Sequence, residues 1–209
     1  MTTEKPSLAS AYGLSSPQDN LALYRDWAAT YDSSFAADMD YLMPGHVAAA
    51  YVQAGGTGPV LDVGAGTGLV AAELARLETG PVDGTDFSAE MLEVARRKGL
   101  YRHLFRGDVT ARLEVADGVY AGVVSAGTFT LGHVGPEGLA ELVRVTASGG
   151  LIVLSIHERH FAGADFAGAF DQLAGRIAIL QRDSLPIYGP AATGDHASDR
   201  GWVVRLRRV

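Results

Sequence analysis

The chain contains no cysteine. That excludes a disulfide framework, a thiolate metal site and a cysteine nucleophile, and it fits a cytoplasmic enzyme. Basic residues are in deficit, with 17 Lys and Arg against 24 Asp and Glu and a formal charge of −7. There is no basic surplus to displace counterions from phosphates, which argues against a nucleic-acid partner. Long hydrophobic runs are missing too. Nothing approaches the ~20 apolar residues that a spanning helix needs. Residues 1–20 carry early charge and proline without a continuous apolar stretch, so neither a membrane anchor nor a signal peptide is expected. Proline is sparse at 8 residues, whereas glycine is abundant: of 26 glycines, 18 lie between Gly55 and Gly150. Such concentration points to a local structural demand.

A length of 209 residues suits one compact globule. Leu21, Tyr24, Ala28 and Tyr31 form a helical stripe with Trp27 beside it, preceded by the start signals Ser16, Pro17 and Asn20. A second helix is expected from Pro44 through Val47, Ala50 and Tyr51 to the breaker Gly55-Gly56-Thr57-Gly58-Pro59. Residues 1–58 thus read as an N-terminal helical cap or lid. Over 59–209, strands at 60–63, 82–87, 104–109, 120–125 and 151–156 alternate with helices at 69–77, 89–98 and 136–145. A helix carrying Phe166, Phe170 and Leu173 follows, then two successive strands, 177–185 and 202–206. This alternation predicts an α/β fold: a doubly wound, Rossmann-like sheet of seven strands, mostly parallel, with an antiparallel strand near its C-terminal edge.

The glycine-rich turn Val60-Leu61-Asp62-Val63-Gly64-Ala65-Gly66-Thr67-Gly68-Leu69 joins a strand to a helix. Its glycines let a ligand approach backbone amides at a helix N-terminus, although a plain tight turn would use the same residues. Asp86 follows Gly64 by 22 residues, at the end of the second strand, where a carboxylate accepts ribose hydroxyls. The alternative is a surface-turn aspartate, since Asp83 and Asp86 flank Gly84. A dinucleotide fingerprint would need glycine where Leu69 stands, which disfavours NAD.

Four segments occur in order: Val60 to Gly68, Gly84-Thr85-Asp86-Phe87-Ser88 with Ala89-Glu90-Met91-Leu92, Gly107-Asp108-Val109, and Val123-Val124-Ser125-Ala126-Gly127. With them the chain resembles the class I S-adenosylmethionine-dependent methyltransferases. Tyr24 to Asp32, Ser125 to Thr130 and His133 to Pro136 are similar to the branch called Williams-Beuren syndrome region 27-like methyltransferases. The resemblance implies S-adenosyl-L-methionine as cofactor and no metal. It implies that Gly64, Ala65, Gly66 and Gly68 line the methionyl part, with Asp62 organising the loop or reaching the amino group. Asp86 would hold the ribose, Phe87 would lie along the adenine and Met91 would close its other side, unless Met91 is a core residue. Asp108, between Gly107 and Val109, would accept the adenine amino group, or be an ordinary turn. Ser125, Ala126 and Gly127 would flank the sulfonium, and Tyr24 and Tyr31 would form a lid or equally a helix core.

Methyl transfer from a sulfonium is an in-line displacement with an activated donor, so alignment and exclusion of water dominate and a base is optional. His133 and His157 follow the fourth and fifth strands and are the candidate bases, with loop histidines as the plainer alternative. Only Ser125-Ala126-Gly127-Thr128 stands where adenine-specific DNA enzymes carry an Asn-Pro-Pro-Tyr-type tetrad. A small organic acceptor is therefore expected, with O- and N-methylation both open. The alternatives are a cofactor-binding scaffold or activator subunit, a non-methylating sulfonium reaction and, least favoured, an oxidoreductase. Monomer and homodimer both stay open.

Overall fold

The computed structural model describes residues 17–209; the expected start signal Ser16 lies outside them. The first helix, α1, spans Pro17–Trp27, and a π-helical turn, Asp32–Ala36, follows it. The next helix, α2 (Met43–Gln53), has Pro44 in its first turn and ends before Gly55, whose φ of 81° suits glycine.

Strand β1 (Val60–Val63) is buried along its whole length, as expected of a parallel strand covered on both faces. After it come α3 (Leu69–Arg76), β2 (Val82–Asp86), α4 (Ala89–Arg97), β3 (His103–Arg106) and β4 (Tyr120–Phe129). Helix α4 starts where the Ser88 hydroxyl accepts the Met91 amide at 3.2 Å, with Glu90 in its first turn and Arg96 and Arg97 in its last. The chain continues through a 3₁₀ turn, Pro136–Gly138, into α5 (Leu139–Val145), β5 (Thr146–His157), α6 (Glu158–Gly163), α7 (Phe166–Gln172), β6 (Ile177–Pro186) and β7 (Arg200–Arg208).

The sheet order is β3-β2-β1-β4-β5-β7-β6. The first five strands run parallel, and β7 enters antiparallel between β5 and β6. This is the seven-stranded mixed sheet expected from the sequence. Three strand ends differ by three residues or more. Strand β3 stops at Arg106, so Gly107, Asp108 and Val109 leave the sheet as a loop. Strand β4 continues to Phe129 because a register shift after Ser125, where Gly127 has φ of 81°, lets Phe129 pair with Ile156. Strand β5 begins at Thr146 and includes Gly149 and Gly150, expected as a turn.

Side chains alternate across the sheet. Ile152, Leu154 and Ile156 face Leu139, Leu142 and Phe166 on one side. Leu151 and Val153 share the other side with Val47 and Tyr51 of α2 and Val70 and Leu74 of α3. Tyr51 occupies the space that a Cβ on Gly122 would need, and its hydroxyl donates to Thr57 O at 2.7 Å. Trp27 and Phe35 join this second core, so α2 is a layer of the fold and residues 17–41 lie beyond it, at the C-terminal ends of the strands. No helix among the described residues is long and apolar enough to cross a membrane.

Candidate functional site

Strands β1 and β4 are neighbours although β2 and β3 intervene in sequence, so the chain reverses direction across the sheet there, where α/β proteins bind ligands. Beyond β1, Gly64, Gly66 and Gly68 have φ of 68°, 53° and 93°. At Gly64 the demand is double, because a Cβ would also run into the Thr128 side chain. The amides of Gly64 and Ala65 both donate to Thr85 O, at 2.9 and 3.0 Å. Asp86 accepts the Gly66 amide on Oδ2 and the Ser88 amide on Oδ1, each at 2.8 Å. One carboxylate thus ties the loop after β1 to the loop after β2. Burial raises its pKa, opposed by these backbone N–H groups.

A cavity of about 450 Å³ lies against these loops. Of the residues named from the sequence, Gly64, Ala65, Gly66, Asp86, Phe87, Met91, Gly107, Asp108, Val109, Gly127, Tyr24, Tyr31 and His133 line it. Asp62, Gly68, Ser125 and His157 do not. Asp62 lies fully buried, accepting the Tyr101 hydroxyl on Oδ2 at 2.7 Å, and its Oδ1 has no hydrogen-bond partner among the described residues. Burial first, then the nearby Asp86 charge, push its pKa up to about 7 against the Tyr101 hydrogen bond. Gly68 turns the chain into α3 and packs against Tyr101. Ser125 is buried and donates to Val63 O at 2.8 Å.

Residues 17–41, part of the expected cap, line the cavity with Leu21, Tyr24, Tyr31 and Tyr41. Tyr24 and Tyr31 belong to an aromatic cluster with Trp27, Phe35, Tyr41 and Tyr188. Asp32 accepts the Thr67 hydroxyl at 2.5 Å and pairs with Lys98 Nζ at 2.6 Å, linking the π turn to the glycine loop and to the end of α4. Opposite, His133 Nδ1 lies 2.8 Å from Leu131 O and Nε2 lies 2.7 Å from the Tyr24 hydroxyl. A carbonyl only accepts, so Nδ1 carries the proton and Nε2 accepts from Tyr24. Burial lowers the His133 pKa and favours the neutral ring.

His157 faces a second, smaller chamber of about 50 Å³, which shares Tyr24, Tyr31, Tyr41, Gly127 and His133 with the larger one. Its Nδ1 accepts the Arg159 amide at 3.2 Å, capping α6, and its Nε2 lies 3.2 Å from Asp199 Oδ2. Both ring nitrogens are engaged, as they are in His133. Burial lowers its pKa and Asp199 opposes that shift.

Tyr41, Thr85, Thr128 and Glu137 also line the larger cavity and escaped the sequence reading. Tyr41 and Glu137 carry no local signal. Thr128 belongs to the Ser125 to Thr130 segment, and only the extra length of β4 brings it over the loop.

The methyltransferase-domain family matches residues 60–150, the span holding β1 to the start of β5. With the fold and the glycine cradle, this marks residues 60–150 as a methyltransferase domain of the class I S-adenosylmethionine-dependent type, whose cofactor is S-adenosylmethionine. The chain is 34% identical over 150 residues to human methyltransferase-like protein 27, covering 69% of this chain and 60% of that protein. It is 35% identical over 147 residues to the demethylmenaquinone methyltransferase of Beutenbergia cavernae, covering 66% and 58%. It therefore spans less than two thirds of these relatives' lengths. A TehB-like methyltransferase of Corynebacterium glutamicum superposes with a TM-score of 0.64 at 17% identity, covering 90% of this chain and 99% of that one, a likeness of fold.

The donor set fits the cofactor. The glycine loop at a helix start, an acidic group at the end of β2, the apolar side chains of Phe87 and Met91 and the rings of Tyr24, Tyr31 and Tyr41 line one cavity.

Proposed function

We propose that the chain methylates a small organic acceptor, oxygen- or nitrogen-centred, at the cavity between the glycine loop and the aromatic cap. The observation that carries this reading is the convergence of Gly64, Gly66, Asp86, Phe87, Met91 and Asp108 on one cavity that Tyr24, Tyr31 and His133 also line. S-adenosylmethionine, when bound, supplies an electrophilic methyl group. Asp86 retains lone pairs for the ribose hydroxyls while holding both loops, because each carboxylate oxygen has two. Phe87 and Met91 would hold the adenine and Asp108 would accept its amino group. Tyr24 and Tyr31 exclude water and present aromatic faces to positive charge. Neutral His133 receives a proton at Nε2 from a protic nucleophile.

The test is calorimetric titration with S-adenosylhomocysteine, followed by transfer of labelled methyl groups into small molecules of a cell extract. Asp86→Ala removes two charge-assisted contacts along with the ribose acceptor, so affinity should fall by roughly a hundredfold. Unchanged affinity would remove Asp86 from the site. Binding without label transfer to any acceptor would leave a cofactor-binding scaffold instead.

A further inference from the structure

We propose that the methyl acceptor is an uncharged phenol, which His133 deprotonates after the phenol displaces Tyr24. This deepens the methyl-transfer reading and rests on it. Three independent features of the two chambers lead to the same acceptor chemistry.

The first is charge. Among the described residues that line either chamber there is no lysine and no arginine, while Asp86, Asp108 and Glu137 line the larger one. A carboxylate or phosphate on the acceptor would lose its water and find no cationic side chain to pair with. The second is shape. The side chains common to both chambers are those of Tyr24, Tyr31, Tyr41 and His133, beside Gly127, and Trp27, Phe35 and Tyr188 also line the smaller one. Their rings meet one another at centroid distances of 4.9 to 6.2 Å in stacked, tilted and edge-on contacts, the surroundings in which another flat ring packs well.

The third is the hydrogen bond already in place. With Nδ1–H held by Leu131 O, the Nε2 of His133 is an acceptor, and the group it accepts from is the phenol of Tyr24, at 2.7 Å with the rings edge-on and 5.4 Å apart. Tyr24 belongs to the cap, whereas His133 belongs to the loop after β4. The site thus holds a phenol from its own chain where a phenolic acceptor would sit. In the proton step the acceptor O–H bond breaks and the proton goes to Nε2. A phenolate and an imidazolium result, with no change in net charge, and the imidazolium returns its proton to water after product leaves.

The experiment uses the full chain saturated with S-adenosylhomocysteine, titrated calorimetrically with p-cresol, which is the tyrosine side chain alone, and with toluene and p-toluate. p-Cresol should bind at least about tenfold tighter than either, since a site built around a hydroxyl rejects analogues that lack it or carry charge. Tyr24→Phe keeps the ring and removes the competing hydroxyl, so p-cresol affinity should rise several-fold, an effect that loss of packing would not produce. His133→Phe should abolish the preference of p-cresol over toluene. Equal binding of p-toluate, or an unchanged p-cresol affinity in Tyr24→Phe, would overturn the proposal. If S-adenosylhomocysteine binds the wild type and p-cresol does not, the phenol inference alone falls. If S-adenosylhomocysteine itself does not bind, the methyl-transfer reading falls and takes the inference with it.

Discussion

Asp62 and Asp86 lie on adjacent parallel strands and differ in partners. Asp86 accepts two backbone amides and faces the cavity, whereas Asp62 is fully buried and accepts one phenolic hydroxyl. The Asp62 pKa, raised from 3.8 to about 7, makes a signed prediction about stability. Between those values the native carboxyl keeps its proton while the unfolded one has lost it, so the native state binds more protons. The contribution of Asp62 is full below its ordinary value and is lost as pH rises through about 7, with a slope of at most ~1.4 kcal/mol per pH unit. Asp62→Asn, neutral at every pH, should therefore gain melting temperature relative to wild type as pH is raised across that window. Parallel melting-temperature curves would refute this. Asp86 was legible in the sequence because its spacing from Gly64 and its place at a strand end are local properties. The Tyr101 contact was not, since Tyr101 belongs to the segment before β3 and reaches Asp62 only across the folded sheet.

At the level of elements, the cap is held to the sheet by polar ties on two sides of the cavity. One is the Tyr24 to His133 bond, and the other is Asp32, joined to Thr67 of the glycine loop and to Lys98 at the end of α4. The Asp32 pair is partly exposed, so its contribution to global stability is small. Its placement over the loop matters more. Asp32→Ala should speed dissociation of S-adenosylhomocysteine several-fold in stopped-flow displacement while leaving the melting temperature within about a degree. A lower melting temperature with an unchanged off-rate would make Asp32 a stability residue instead. Helix α4 was readable to its ends, because Ser88, Glu90, Arg96 and Arg97 are local cap and dipole signals. The π turn was not, and it carries the residue that ties the cap down. The long β4 escaped for a similar reason: its last residues pair with β5 only through a register shift, a property of two strands together.

For the whole molecule, the sheet and the cap differ in how they are held. Strands β1, β4 and β5 are central and buried between two hydrophobic layers, while residues 17–41 rest on one layer through aromatic contacts. Amide exchange should therefore be slowest in the central strands and fastest in the cap, and S-adenosylhomocysteine should slow the cap most. Uniform slowing, or none in the cap, would remove its role as a lid. By itself the sequence determined the α/β alternation, the glycine turn, the acidic residue after β2 and the antiparallel end of the sheet. Each depends on periodicity, backbone freedom or spacing within a few residues. Only the tertiary structure decided that Asp62, Ser125 and Gly68 stand outside the cavity lining and that His157 meets Asp199. Only it placed Tyr24 of the cap on His133 of the far loop, 109 residues on. Such contacts depend on which faces of distant elements meet, and burial, tautomer and charge state all follow from that meeting.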